Sequence, residues 1–227
     1  MDFIAVDILT DHEAFDKLLK LGIRKVPVVA KGDRFVLGRN LETVAEFVGV
    51  RGPGHTPLPP DLLIDKWINV LRAAQRYVRQ MPLERMNERA IERRDRTIRI
   101  LSHHVFRIAE AFLETAIDGV EYAVGLADIM PQAGSCTTGA EIARYGDGVI
   151  ERLHDWEKKL RDPSCQQMVQ TFYGPQTLHE LLERSTWHSA QHARQLMYVL
   201  ERYGVSPDRP LTENDLAGLP LPEGLFE

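Results

Sequence analysis

Cysteine and long apolar runs are both scarce in this 227-residue chain. The two cysteines, Cys136 and Cys165, lie 29 positions apart and form no Cys-x-x-Cys pair, which argues against a cysteine zinc site. No apolar segment reaches 18 residues, and Met1-Asp2-Phe3-Ile4 lacks the basic and apolar regions of a signal peptide. We therefore expect a cytoplasmic protein with reduced thiols and no membrane partner.

A run of charge of one sign is also missing. The net charge is -5, and basic residues are scattered among acidic ones. The Arg-rich stretch 84–99 carries acidic residues at helical spacing, which is typical of a solvated helix face rather than a phosphate-binding patch. Nucleic acid is therefore not an expected partner. The length of 227 residues suits one large domain or two modest ones, and 44% hydrophobic residues are enough to form a core.

The first 50 residues predict a small α/β domain. Two strands flank the hairpin turn Lys31-Gly32-Asp33, and a proline stands in the first of them, as at a cis X-Pro corner. The predicted elements are a strand over Phe3–Ile8, a helix over His12–Leu21, strands over Val26–Ala30 and Arg34–Leu37, and a helix over Leu41–Val48.

A Pro/Gly-rich linker at 51–60 then precedes a helical domain at 61–204 and an extended C-terminal tail at 205–227. The connection over Asp118–Thr137 is long for antiparallel neighbours, so we expect a four-helix bundle with one crossover. Its predicted helices cover Pro60–Gln80, Glu92–Ile117, Thr138–Leu160 and Gln176–Tyr203.

Three histidines predict a metal site inside this bundle. His188 and His192 lie one turn apart on the flank of the apolar side of the last helix. In the second helix, His104 lies about 60° from Leu101 on the core side, whereas His103 lies at about 200° and is expected to be exposed. The remaining histidines, such as His179, are also expected to be exposed. Three imidazoles leave a coordination position open, as catalytic metal sites do.

Two stretches of the helical domain carry a resemblance to a known family. They are Phe172–Arg184, which runs into Trp187-His188 and His192-Ala-Arg-Gln-Leu, and Ile100–Ile108. Over about residues 60–204 the chain resembles the DinB/YfiT-like metalloprotein superfamily. That resemblance implies a four-helix bundle with a divalent metal on His104, His188 and His192, with His103 as the alternative ligand in the second helix.

The resemblance also implies a function. Members are described as thiol-dependent transferases and isomerases, so the implied partners are a glutathione-type thiol, a small electrophile and a second copy of the chain. The metal would be zinc, with nickel or iron as alternatives, since imidazole suits all three. The competing hypothesis is a non-catalytic metal-stabilised module for dimerisation or partner binding. No catalytic residue beyond the metal ligands is predicted.

The N-terminal domain resembles the later part of a glutaredoxin or thioredoxin fold. Lys25-Val26-Pro27-Val28-Val29, Gly32-Asp33 and the helix that follows match its proline strand, hairpin and last helix. The first strand and the Cys-x-x-Cys motif of that fold have no counterpart here, so disulfide chemistry is not expected of this truncated thioredoxin-like unit.

Overall fold

A computed structural model describes residues 4, 6, 11–23, 28–38, 41–49, 56–91, 95–222 and 224–225. The chain divides into two compact units, 1–56 and 57–227, with the division inside the predicted linker. Among the described residues, none of the helices combines the length and the apolar character needed to cross a membrane.

The described part of the first unit is a helix, a hairpin and a second helix. Helix α1 (His12–Lys20) begins where the Asp11 side chain accepts a hydrogen bond from the Ala14 amide. Strands β1 (Val28–Lys31) and β2 (Arg34–Leu37) pair antiparallel, and α2 (Leu41–Val48) follows. The predicted strand over Phe3–Ile8, apart from Ile4 and Val6, and the predicted proline corner at Pro27 lie outside the described residues.

Four long helices make up most of the second unit. Helices α3 and α4 each pack against both α5 and α6, and all four contribute to one hydrophobic core, as in a helical bundle. The helices are α3 (Pro60–Gln80), α4 (Ile98–Asp118), α5 (Gly139–Lys158) and α6 (Leu178–Arg202). The sequence predicted the bounds of α3, and those of α5 to within two residues.

The predicted start of the second long helix at Glu92 was wrong. Helix α4 begins at Ile98, because the Thr97 side chain accepts a hydrogen bond from the Ile100 amide and caps it. Thr97 also forms an isolated antiparallel β-bridge with Arg89, so its backbone is extended at this point. Charges at helical spacing had suggested a helix, but the described residues 95–97 before Ile98 are not helical.

Two further elements were not predicted. A hairpin of β3 (Met168–Thr171) and β4 (Gly174–Thr177) precedes α6, which begins at Leu178 after the Thr177 capping box and not at Gln176. In the tail predicted as extended, a short helix α7 (Glu213–Leu216) forms behind the Thr212 cap. The tail does lie against the bundle, because Lys66 of α3 donates to the carbonyls of Asn214 and Asp215.

Candidate metal centre

The structure brings together the three histidines that the sequence singled out. One ring nitrogen from each of His104, His188 and His192 lies within 4.8 Å of those of the others, close enough for the group to hold a metal ion. The His104 ring centroid lies 5.3 Å from that of His188 and 4.9 Å from that of His192. The two rings of α6 are 4.8 Å apart.

Packing of α4 on α6 sets this arrangement. His104 and His192 are 4% and 5% exposed, whereas His188 is half-buried, so the cluster has a dry side and a side open to solvent. Ser189, next to His188, donates from Oγ to the Val105 carbonyl at 3.1 Å. This bond fastens the two helices one residue away from two of the three histidines.

The Nδ1 atom of His104 forms a hydrogen bond with the backbone of the crossover connection. It lies 2.8 Å from the Ala127 carbonyl oxygen, which can only accept, so Nδ1 carries the proton and donates. Ala127 belongs to a short 3-10 helix over Leu126–Asp128. Asp128 places a carboxylate oxygen 3.5 Å from the same Nδ1 and pairs with Arg96 at 3.0 Å. The nitrogen left for a metal is Nε2.

A side chain holds the proton of His192 on Nδ1 in the same way. Nδ1 lies 2.7 Å from Gln195 Oε1 and donates to it. Its Nε2 is buried, and no described residue forms a hydrogen bond with it. An unpartnered buried acceptor costs about 1–3 kcal/mol, and a bound cation would satisfy it. The residues present therefore fit a metal site.

Burial keeps the imidazoles of His104 and His192 neutral, which is the form that binds metals. It lowers the pKa of His104 to about 3, and electrostatic interactions with Arg96 and with the His188 ring lower it further. Burial also lowers the pKa of His192 well below its ordinary value, and His188 and His104 add to this. Neither ring therefore has to lose a proton at neutral pH before it binds a metal.

His103 is buried, which corrects the prediction that it faces solvent. It is 6% exposed and stacks on Tyr145 of α5, with 4.8 Å between ring centroids and 14° between planes. The prediction assumed one buried face, but α4 is covered by α5 on one side and α6 on the other. Burial lowers the pKa of His103 to about 4. Among the described residues, the histidine cluster that could hold a metal contains His104 and not His103.

Other sequence-derived expectations meet mixed outcomes. His179, predicted to be exposed, is partly buried, and its Nε2 lies 2.8 Å from the Leu58 carbonyl. Both cysteines are free thiols. The contacts of Ala127, Asp128, Arg96 and Gln195 were not predicted. For Gln195 a signal existed, since a glutamine three residues after His192 lies on the same side of the helix.

Two cavities adjoin α6, and they differ in their relation to the histidines. A small one of about 10 Å³ is lined by His192, Gln195, Arg96 and Leu101, among others, and has room for about one water-sized ligand. A groove of about 490 Å³ lies between the outer side of α6 and residues of the C-terminal tail within 211–222 and at Leu225. None of the three histidines lines that groove, so its size does not bear on the metal site.

Comparisons of the chain with protein-family models, with curated proteins and with solved structures gave no match. Membership of the DinB/YfiT-like superfamily therefore stays a prediction from the sequence, and the site is interpreted below from its own residues.

Proposed function

We propose that this protein is a DinB-type protein that binds a divalent metal and catalyses a thiol-dependent reaction. It would either transfer a small-molecule thiol to a small electrophile or isomerise that electrophile with the thiol as cosubstrate. The observation that carries the proposal is the buried Nε2 of His192. It has no hydrogen-bond partner among the described residues and lies within reach of two other imidazoles. A buried nitrogen of this kind is costly in a bundle unless a ligand uses it.

The chain's own residues prepare the site in two ways. His104, His188 and His192 would hold the ion, with zinc first and nickel or iron as alternatives. The Ala127 carbonyl and Gln195 hold protons on the Nδ1 atoms and so present the Nε2 atoms. When bound, the metal would supply Lewis acidity and stabilise a thiolate, and three protein ligands would leave a position for one.

An external thiol suits this site better than the chain's own cysteines. Burial raises the pKa of Cys165 to about 11, and it also raises that of Cys136, so neither favours the nucleophilic thiolate.

The finer features expected from the sequence belong to the same proposal. The helix–hairpin–helix of the first unit is interpreted as a truncated thioredoxin-like domain, and the protein as a cytoplasmic homodimer. Sedimentation of the purified protein tests the dimer, and a measured structure of residues 1–50 tests the fold of that domain.

The central experiment combines metal analysis with a thiol-dependent assay. Purified protein should hold one divalent metal per chain, and His188→Ala should lose both the metal and thiol-dependent conversion of a model electrophile such as 1-chloro-2,4-dinitrobenzene. His179→Ala is the matched control, because His179 belongs to the same helix and contacts Leu58 instead. The assay is repeated with glutathione, mycothiol and bacillithiol.

The non-catalytic module gives a different pattern in the same experiment. Chelation would then lower the melting temperature, but no thiol would show saturable heat of binding and no turnover would occur. A His188→Ala variant that kept its metal would instead refute the three-histidine site itself.

A further inference from the structure

Side chains of α6 donate hydrogen bonds to the backbone carbonyls of three residues near the C-terminus, Pro222, Gly224 and Leu225. We call these three residues the strap. Gln195 donates from Nε2 to the Leu225 carbonyl at 2.8 Å. Gln191 donates to the Gly224 and Leu225 carbonyls at 3.1 and 2.9 Å. Arg194 donates to the Pro222 carbonyl at 2.9 Å.

Two of the side chains that bind the strap, Arg194 and Gln191, also form a hydrogen bond with each other. Arg194 donates from the same Nη1 to Gln191 Oε1 at 2.8 Å, which leaves the Gln191 amide nitrogen turned toward the strap. Gln191 and Gln195 are 5% and 3% exposed. The contacts are therefore shielded from water, where competition for hydrogen bonds is weakest.

The bond to Leu225 decides how the Gln195 amide is oriented. A primary amide has a donor end and an acceptor end, and a carbonyl can only accept. Because Nε2 faces the Leu225 carbonyl, Oε1 faces His192, and an oxygen in that position requires the proton of His192 to be on Nδ1. Turning the amide over would place NH2 against His192 and favour the opposite tautomer, with the proton on Nε2.

From this chain of contacts we propose that Gln195 is a positioning residue for the metal ligand His192, and that the strap sets metal affinity by locking the Gln195 amide. This inference rests on the proposed metal site and adds a control element to it. Strap docking and metal binding become coupled, and since coupling of binding equilibria is reciprocal, metal also stabilises the docked strap.

The test measures zinc affinity by competition with a chromophoric chelator, using full-length protein. Gln195→Leu removes the acceptor for His192 and should weaken zinc binding about 10–100-fold, as loss of a partner of a metal-binding histidine commonly does. Gln191→Leu leaves His192 untouched but loosens the strap, and should weaken binding about fivefold, at the low end of coupling between sites. Gln75→Leu is the matched control.

Gln75 is a suitable control because it is similarly buried but bonds α5, through the Ala143 carbonyl and Asp147. Its substitution should destabilise the fold without a change in zinc affinity. Gln195→Glu separates positioning from packing, because a carboxylate still accepts from His192 Nδ1 but cannot donate to Leu225. That variant should keep zinc affinity within about threefold, since charged acceptors bind more strongly.

Two readouts report on coordination and on the strap. The visible spectrum of the cobalt-substituted protein should change in Gln195→Leu and persist in Gln195→Glu. Zinc should shift the backbone NMR signals of Gly224 and Leu225 in the wild type and leave them unmoved in Gln195→Leu. Unchanged zinc affinity in folded Gln195→Leu, or equal losses in Gln75→Leu, would overturn the inference alone. Wild-type protein that bound no zinc would overturn the metal site and the inference together.

Discussion

Replacement of His103 by phenylalanine separates the two adjacent histidines of α4. Phenylalanine keeps a ring against Tyr145, where His103 now stacks, but cannot titrate. Because the described candidate metal site contains His104 and not His103, zinc stoichiometry should stay at one per chain in His103→Phe. The same substitution should make the metal-free protein less sensitive to acid.

The expected size of the acid effect follows from the pKa of His103. Burial lowers it from 6.5 to about 4, so below pH 6.5 the unfolded chain binds a proton that the folded chain does not. Stability is therefore lost as the pH falls through this window, and the loss levels off below about pH 4. Between neutral pH and pH 5 the His103 contribution is about 2 kcal/mol, because each pKa unit is worth about 1.4 kcal/mol.

Urea unfolding of both proteins at pH 7.5 and pH 5, with chelator present, measures this difference. The free energy of unfolding of the wild type should fall by about 2 kcal/mol more than that of His103→Phe. His103→Leu should show the same reduced sensitivity even if loss of the stacked ring lowers its stability at both pH values. Equal acid losses in all three proteins would refute the assignment of a buried neutral His103, and loss of zinc from the phenylalanine variant would refute the choice of His104.

Two further predictions concern packing and thiol reactivity. Gly146→Ala should lower the free energy of unfolding by about 1–3 kcal/mol in urea, because the new Cβ would lie 2.6 Å from the Phe106 ring. Gly148 lies on the same helix, but a Cβ there would meet nothing within 4 Å, so Gly148→Ala should stabilise the protein by about 0.5–1 kcal/mol. Equal effects of the two substitutions would contradict this packing. Cys165 is 0% exposed with a pKa raised to about 11, so a thiol-specific dye at pH 8 should label it only after unfolding, and rapid labelling of the native protein would contradict its burial. Cys136 is half-buried, so it should react in the native state, though slowly because burial raises its pKa.

The sequence predicted the parts of the fold that depend on local signals. Helix α3 begins at Pro60, a residue suited to a first turn, and ends before Met81, which Pro82 holds extended. The start of α4 was missed because the charges before Ile98 have helical spacing. Thr97 is a local capping signal that was overlooked, whereas its bridge to Arg89 depends on the folded chain. Hairpin β3–β4 was missed because each of its strands has only four residues and β4 carries Gly174 and Pro175, which are typical of turns.

In the candidate site, too, local signals predicted some features and not others. Helical periodicity selected His104, His188 and His192, because all three lie toward the interior of a bundle. The same argument placed His103 in solvent, since it assumed that α4 has one covered face, but contacts with α5 and α6 cover two. Which residues lie behind a ligand depends on contacts between distant segments, and single-sequence periodicity carries no information about those.

Contacts with the crossover connection and with the strap influence which nitrogen His104 and His192 offer. The proton on His104 Nδ1 is held by Ala127 in the crossover connection, and the proton on His192 Nδ1 by Gln195, whose own orientation depends on Leu225. Helix packing brings the rings together, but a ring with the other tautomer would point an N–H at the metal and could not bind it. Changes in the crossover or in the strap would therefore alter metal affinity without altering any histidine. The assembled site should respond to contacts made by residues far from it in sequence.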